Sequence, residues 1–160
     1  MRELFIQTLI KLAEQDNKII LIVGDVGFSF LEEYKNKFPK QFLNCGVMEQ
    51  SMMGIAVGLA QQGFKPYVYT MSNFIILRPY EQLRNDICYG NANVKLFGVK
   101  GSEAYKFLGM SHNLFRDEEE RLLEGLPNIN VYYNKLKSEE LLKESLLAEY
   151  KRVGPAYFAI

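Results

Sequence analysis

The chain has 160 residues, enough for one domain with a substantial core and too few for two ordinary ones. Apolar residues make up 48% and charged residues 24%, and lysine plus arginine equals aspartate plus glutamate at 19 each. That balance fits a soluble globular protein and offers no excess positive charge for nucleic acid or an anionic membrane. Cys45 and Cys88 form no C-x-x-C pair and His112 is the single histidine, so no zinc-ligand spacing exists and no metal site is expected here. Met1 to Lys11 mixes charge with apolar residues, unlike the apolar core of a signal peptide. The longest apolar run, around Ile55 to Ala60, is too short for a membrane span and contains Gly58. A cytoplasmic location with free thiols is the expectation.

Leu4, Phe5, Thr8, Leu9, Leu12 and Ala13 fall on one stripe at helical spacing, which predicts an opening amphipathic helix. Ile19 to Val23 then reads as a strand buried on both faces, as in the middle of a parallel sheet. Phe42 to Cys45, Pro66 to Thr70, Val94 to Val99 and Ile129 to Tyr133 read similarly, and Ala156 to Ile160 adds a last strand. Helices are predicted between them. Glu49 to Gln62 stops at Gly63, and Arg78 to Tyr89 stops at Gly90-Asn91. Asp117 to Glu120 loads acid into the first turn of a third helix, and Ser138 caps a fourth that runs to about Tyr150. Strands alternating with helices predict one α/β domain over residues 1–160, a three-layer sandwich around a mainly parallel sheet.

In such sheets ligands bind beyond the carboxyl ends of the strands. Four places follow: Asp25 to Ser29, Gly46 to Ser51, Met71 to Arg78 and Gly101 to His112. The second holds a carboxylate, Glu49, at the start of a helix that is apolar almost all round and therefore expected to be buried. Burial opposes the charge of Glu49 and the helix dipole favours it, a tension suited to sharing a proton with a basic ring nitrogen. Simple complementing of the dipole explains the residue equally well at this point. Gly54 and Gly58, one turn apart, clear a face for close approach, either of the sheet or of another subunit.

Asn44 to Ala60 resembles a segment of transketolases and deoxyxylulose phosphate synthases that reads roughly G-V-x-E-Q-x-M-x-G-I-A-x-G-L-A. The similarity continues through Gly63 to Thr70, Phe74 and Arg78 to Asn85, and includes Gly24-Asp25-Val26-Gly27, Gly109-Met110-Ser111-His112 and Leu126-Pro127-Asn128. The chain therefore resembles the pyrimidine-binding domain of the transketolase family over almost its whole length.

The resemblance implies thiamine diphosphate as cofactor, with its aminopyrimidine bound here at a subunit interface. Glu49 matches the glutamate that bonds a pyrimidine nitrogen and favours the imino tautomer, which promotes ylid formation for two-carbon ketol transfer. Asp25 matches an acid in or beside the cofactor site, although an aspartate before Gly27 also suits a tight turn. Met71, Phe74 and Leu77 occupy the positions of the ring pocket, and only Phe74 keeps the family's aromatic character. His112 matches a histidine on the substrate side of the cofactor, able to move protons near neutral pH.

Departures accompany the match. Leu108 stands where transketolases carry an acid that contacts the sugar donor, and the family's phosphate contacts have only Lys135 and Lys137 as substitutes. The donor is thus an unusual ketose phosphate or an α-keto acid, which keeps open a decarboxylase, an acyl-transferring synthase or a non-catalytic relative. No G-D-G occurs in the sequence. A separate diphosphate-binding subunit carrying G-D-G…N, with magnesium or calcium, is therefore expected in a hetero-oligomer with two copies of each chain.

Overall fold

The computed structural model describes residues 1–100, 106–114, 117–132 and 138–160. The opening helix α1 (Arg2–Ala13) buries Phe5, Ile6, Leu9, Ile10 and Ala13, the apolar stripe seen in the sequence. Strand β1 (Ile19–Val23) is buried at every position. Helix α2 (Glu32–Lys37) leads to β2 (Phe42–Asn44), and α3 (Glu49–Gln61) leads to β3 (Lys65–Met71). A short helix α4 (Ser72–Ile76) precedes α5 (Tyr80–Gln82), which runs on as a π-helix over Leu83–Tyr89. Then come β4 (Lys95–Val99), a 3-10 segment over Lys106–Ser111, α6 (Glu118–Leu123), β5 (Asn130–Tyr132), α7 (Glu139–Lys151) and β6 (Ala156–Ala159). Ser138 caps α7, its hydroxyl accepting a bond from the Leu141 amide at 3.2 Å.

The six strands lie in the order β2-β1-β3-β4-β6-β5, and every neighbouring pair is parallel. One face of the sheet packs on α1 and α7 around Phe5, Leu9, Phe97 and Phe158. The other packs on α3, α4 and the π-helix around Met52, Met53, Ile75 and Ile87. This is the expected α/β sandwich. Strand order reverses between β1 and β3, which opens a crevice at their carboxyl ends.

Several expectations need correcting. β2 is an edge strand, half-buried at Phe42 and exposed at Leu43 and Asn44, because it pairs only with β1. β5 is the other edge, and β6 inserts between it and β4; Tyr133 lies outside the described residues. The helix expected from Arg78 begins only at Tyr80, since Pro79 interrupts the chain and leaves Arg78 in the turn after α4. α3 is buried along one face only: Met52, Met53 and Ala56 pack inward, whereas Ile55 is 37% exposed. A Cβ added at Gly54 or Gly58 would meet nothing within 4 Å, so that small-residue face does not pack on the sheet.

Close packing around Gly98 ties this architecture to the site below. Tyr157, fully buried in β6, hydrogen-bonds Ser72 Oγ at 3.0 Å and also reaches the Glu119 carboxylate, joining α4 and α6 to the sheet. A Cβ at Gly98 would lie 2.7 Å from Ser72 Oγ and 3.0 Å from Ser72 Cα. Gly98→Ala should therefore cost about 1–3 kcal/mol in urea unfolding, the range for overpacking a tight core. An unchanged midpoint would show that the start of α4 shifts freely.

Candidate functional site

Four loops meet beyond the carboxyl ends of β1, β2, β3 and β4. After β1, Asp25 takes a left-handed conformation (φ 53°) and Gly27 follows at φ 89°. A Cβ at Gly27 would lie 2.5 Å from the Leu31 side chain, so only glycine fits this turn. Asn44, at the end of β2, holds the turn in place. Its Oδ1 accepts bonds from the Asp25 amide (3.1 Å) and the Gly46 amide (2.9 Å), while its Nδ2 donates to Asp25 Oδ1 at 3.2 Å. One side chain thus fixes the Asp25 turn and the entry to α3 together.

Glu49 opens α3 and is only 4% exposed. A buried carboxylate needs donors, and Arg78 supplies them: its Nη1 lies 2.9 Å from Oε1 and 3.0 Å from Oε2. The same guanidinium sits flat against Phe74, with Cζ 3.8 Å from the ring centroid. The His112 ring meets Phe74 edge-on, at 5.1 Å between centroids and 66° between planes. Asn73, the neighbour of Phe74 in α4, donates from Nδ2 to the Ser111 carbonyl at 2.5 Å and so anchors the histidine turn. Ser111 Oγ donates to the Leu108 carbonyl at 3.0 Å and lies 2.7 Å from His112 Nδ1. Because the hydroxyl proton is committed to that carbonyl, Nδ1 carries the imidazole proton and Nε2 is left as an acceptor.

Asp25, Glu49, Met71, Phe74, Arg78 and His112 all line one cleft of about 430 Å³, with Tyr69, Val47 and Leu108 among its other walls. Sequence reasoning thus finds five residues that the fold brings together. Leu77 is not among the lining residues; α4 ends at Ile76 and Leu77 stands 45% exposed. Lys135, Lys137 and residues 101–105 lie outside the described residues. Arg78 and Asn44 stand in the motif segments, yet sequence reasoning gives them no role. Only an unpaired buried acid and a polar residue closing a strand hint at them. Among the described residues no group of three or more His, Cys, Asp or Glu comes together as a metal site.

A buried acid at a helix start, beside a half-open aromatic face at the switch point of a parallel sheet, defines a pocket for a flat, hydrogen-bonding ring. The chain matches the family described as "Transketolase, pyrimidine binding domain" over residues 1–159, and it belongs to that family. One of the two kinds of subunit of an apulose-4-phosphate transketolase from Phocaeicola vulgatus is 37% identical over 131 residues, covering 81% of this chain and 41% of that protein. The 1-deoxy-D-xylulose-5-phosphate synthase of Pelotomaculum thermopropionicum is 30% identical over 159 residues, covering 96% of this chain and 23% of its own length. A solved split-gene transketolase, described as an inactive beta4 tetramer, superposes with TM-score 0.84 at 29% identity, covering 99% of this chain and 49% of that one. This chain therefore spans less than half of each of these relatives. Family membership implies thiamine diphosphate as the cofactor. The residues present fit its ring half: apolar walls from Met71, Tyr69 and Phe74 face a buried carboxylate.

Removing the Asn44 clamp should loosen the site without dismantling the core. Asn44→Ala should lower stability by about 1 kcal/mol and speed hydrogen exchange at the Asp25 and Gly46 amides. Unaltered exchange at both would show that the clamp does not hold the turns.

Proposed function

We propose that this chain supplies the aminopyrimidine-binding half of a thiamine diphosphate site in a transketolase-like transferase that moves two-carbon ketol units. The observation that carries this reading is Glu49, buried at the head of α3 and facing a cleft shared with Phe74 and His112. Thiamine diphosphate, when bound, supplies the nucleophilic carbon and the electron sink. Glu49 accepts a hydrogen bond from the ring nitrogen and controls which tautomer is held. Phe74 and Met71 give the ring an apolar bed, and Asp25 closes the side nearest β1. His112, with Nε2 as acceptor, handles protons at the substrate's oxygens.

The diphosphate and its magnesium or calcium belong, in this reading, to a second chain carrying G-D-G…N, in a hetero-oligomer with two copies of each. Exposed apolar side chains beside the cleft support a covering partner: Phe28 is 76% exposed, Val47 66% and Met48 51%. Among the described residues no helix is long and apolar enough to cross a membrane. We take the domain as 1–160.

A second reading has one observation in its favour. Leu108 lines the cleft where transketolases of this family carry a donor-binding acid, so the ketose contact that acid makes is lacking. A keto-acid donor, as in a decarboxylase or an acyl-transferring synthase, needs no such contact.

The test combines this chain with its diphosphate-binding partner and follows cofactor binding and turnover. Glu49→Gln should fold and lose turnover by roughly 10²–10⁴-fold, the usual worth of a positioned acid–base group. Near-normal turnover would remove the assignment. Carbon dioxide release from a keto acid, without transfer from ketose phosphates, would select the second reading.

A further inference from the structure

The contacts of Arg78 have the form of a ligand's contacts. Its guanidinium is flat, carries N–H donors and lies 3.8 Å above the centroid of Phe74. The same group donates to both oxygens of Glu49 at 2.9 and 3.0 Å. A planar heterocycle that stacks on Phe74 and donates to Glu49 would need the same face and the same acceptors. The guanidinium and such a ring cannot share them.

We propose that Arg78 is a displaceable internal ligand, occupying the aminopyrimidine's place on Phe74 and Glu49, and that the ring binds by competing it away. This rests on the reading of Glu49 and Phe74 as the ring's partners. Two further observations bear on the exchange. Arg78 keeps a 44% exposed side chain, so its departure from the cleft costs little desolvation, whereas Glu49 is 3% exposed at the side chain and cannot follow it. Arg78 and Glu49 also line a second depression of about 460 Å³, bounded by Val47, Met48, Gln50 and Ser51. The pair is the wall between the two hollows, and the outer one gives the displaced guanidinium room beside the first turn of α3.

The arrangement solves a physical problem. Leaving a buried carboxylate without a partner costs several kcal/mol, and an internal cation supplies the missing donors. The consequence is a lowered apparent affinity, because only the fraction of molecules with Arg78 swung out can accept the ring.

The test uses the full chain and a neutral probe, 4-amino-5-hydroxymethyl-2-methylpyrimidine, titrated at pH 8 and followed by NMR shifts of the Gln50 and Phe74 amides. Arg78→Gln, which keeps a hydrogen-bond donor for Glu49 but loses the charge, should bind the probe about tenfold more tightly than wild type. Wild-type affinity should rise with added salt, since screening weakens the ion pair being displaced, and the variant should show no such rise. Arg78→Lys, which keeps the charge but cannot lie flat on Phe74, should fall between the two and shows whether any change in the glutamine variant reflects misfolding. Weaker binding by Arg78→Gln, or affinity independent of salt in wild type, overturns the competition while leaving Glu49 as the ring's partner. Binding that is absent in wild type and in both variants, or that Glu49→Gln does not weaken, overturns the ring site itself and this inference with it.

Discussion

A carboxylate buried at the head of a helix constrains everything around it. Glu49 is cut off from water, and the helix dipole alone does not replace the hydration it has lost. Its remaining lone pairs must meet donors from elsewhere in the chain, and the turn after α4 brings them. That requirement explains why α4 is short. Ser72–Ile76 makes little more than one turn before the chain reaches Arg78 and Pro79, which brings the guanidinium back over Phe74 and onto Glu49. A longer α4 would carry Arg78 past the acid.

The sheet makes this meeting possible. With β1 and β3 adjacent and β2 outside them, the loops that follow all three strands converge on one crevice. The β4 loop closes it from the far side with His112, tied to α4 through Asn73 and Ser111. Asn44 ties the β1 and β2 loops to each other. Each functional loop is therefore held by a neighbour, so the geometry of the cleft does not depend on any one loop being rigid.

Much of this is legible in the sequence, and the limits have physical causes. Continuous apolar runs such as Ile19 to Val23 and Val94 to Val99 announce strands buried on both faces, and those are the strands that the structure buries most fully. β2 departs from that pattern because Phe42-Leu43 is equally apolar but sits at an edge, and pairing order leaves no mark in so short a run. α3 reads as buried all round because its residues are apolar all round; composition cannot say which face meets the sheet. Glu49, Asp25, Met71, Phe74 and His112 are reached through a family motif, and the fold gathers them. Leu77 comes from the same motif and falls outside. The Arg78–Glu49 pair joins residues 29 positions apart, and nothing local marks either as the other's partner.

The opposite end of the sheet shows what the site end is spared. Lys95, at the start of β4, is buried and bonds Glu149 at 3.4 Å, the Arg152 carbonyl at 3.1 Å and the Gly154 carbonyl. Burial pushes the Lys95 amine down to about 8, and the nearby Glu149 charge pulls it partly back up. For Glu149, burial works against the charged form, but bonds from Asn130, Tyr132 and Arg152 outweigh it and hold the carboxyl below its usual range. Residues at the starts of β4 and β5, together with the segment entering β6, thus meet in one saturated polar knot. A second clip, Lys65 to Asp16 at 2.7 Å with Tyr150 on the same carboxylate, secures the amino ends of β1 and β3. In both places the charges are committed to fixed partners within the chain, as suits groups whose task is to hold strands in register. At the carboxyl ends the buried acid Glu49 has, among the described residues, Arg78 as its ion-pair partner, and that partner is 44% exposed on a turn. An ion pair built to last would bury both members and surround them with further donors. The Arg78–Glu49 pair does neither, and that asymmetry marks the pair as one built to open.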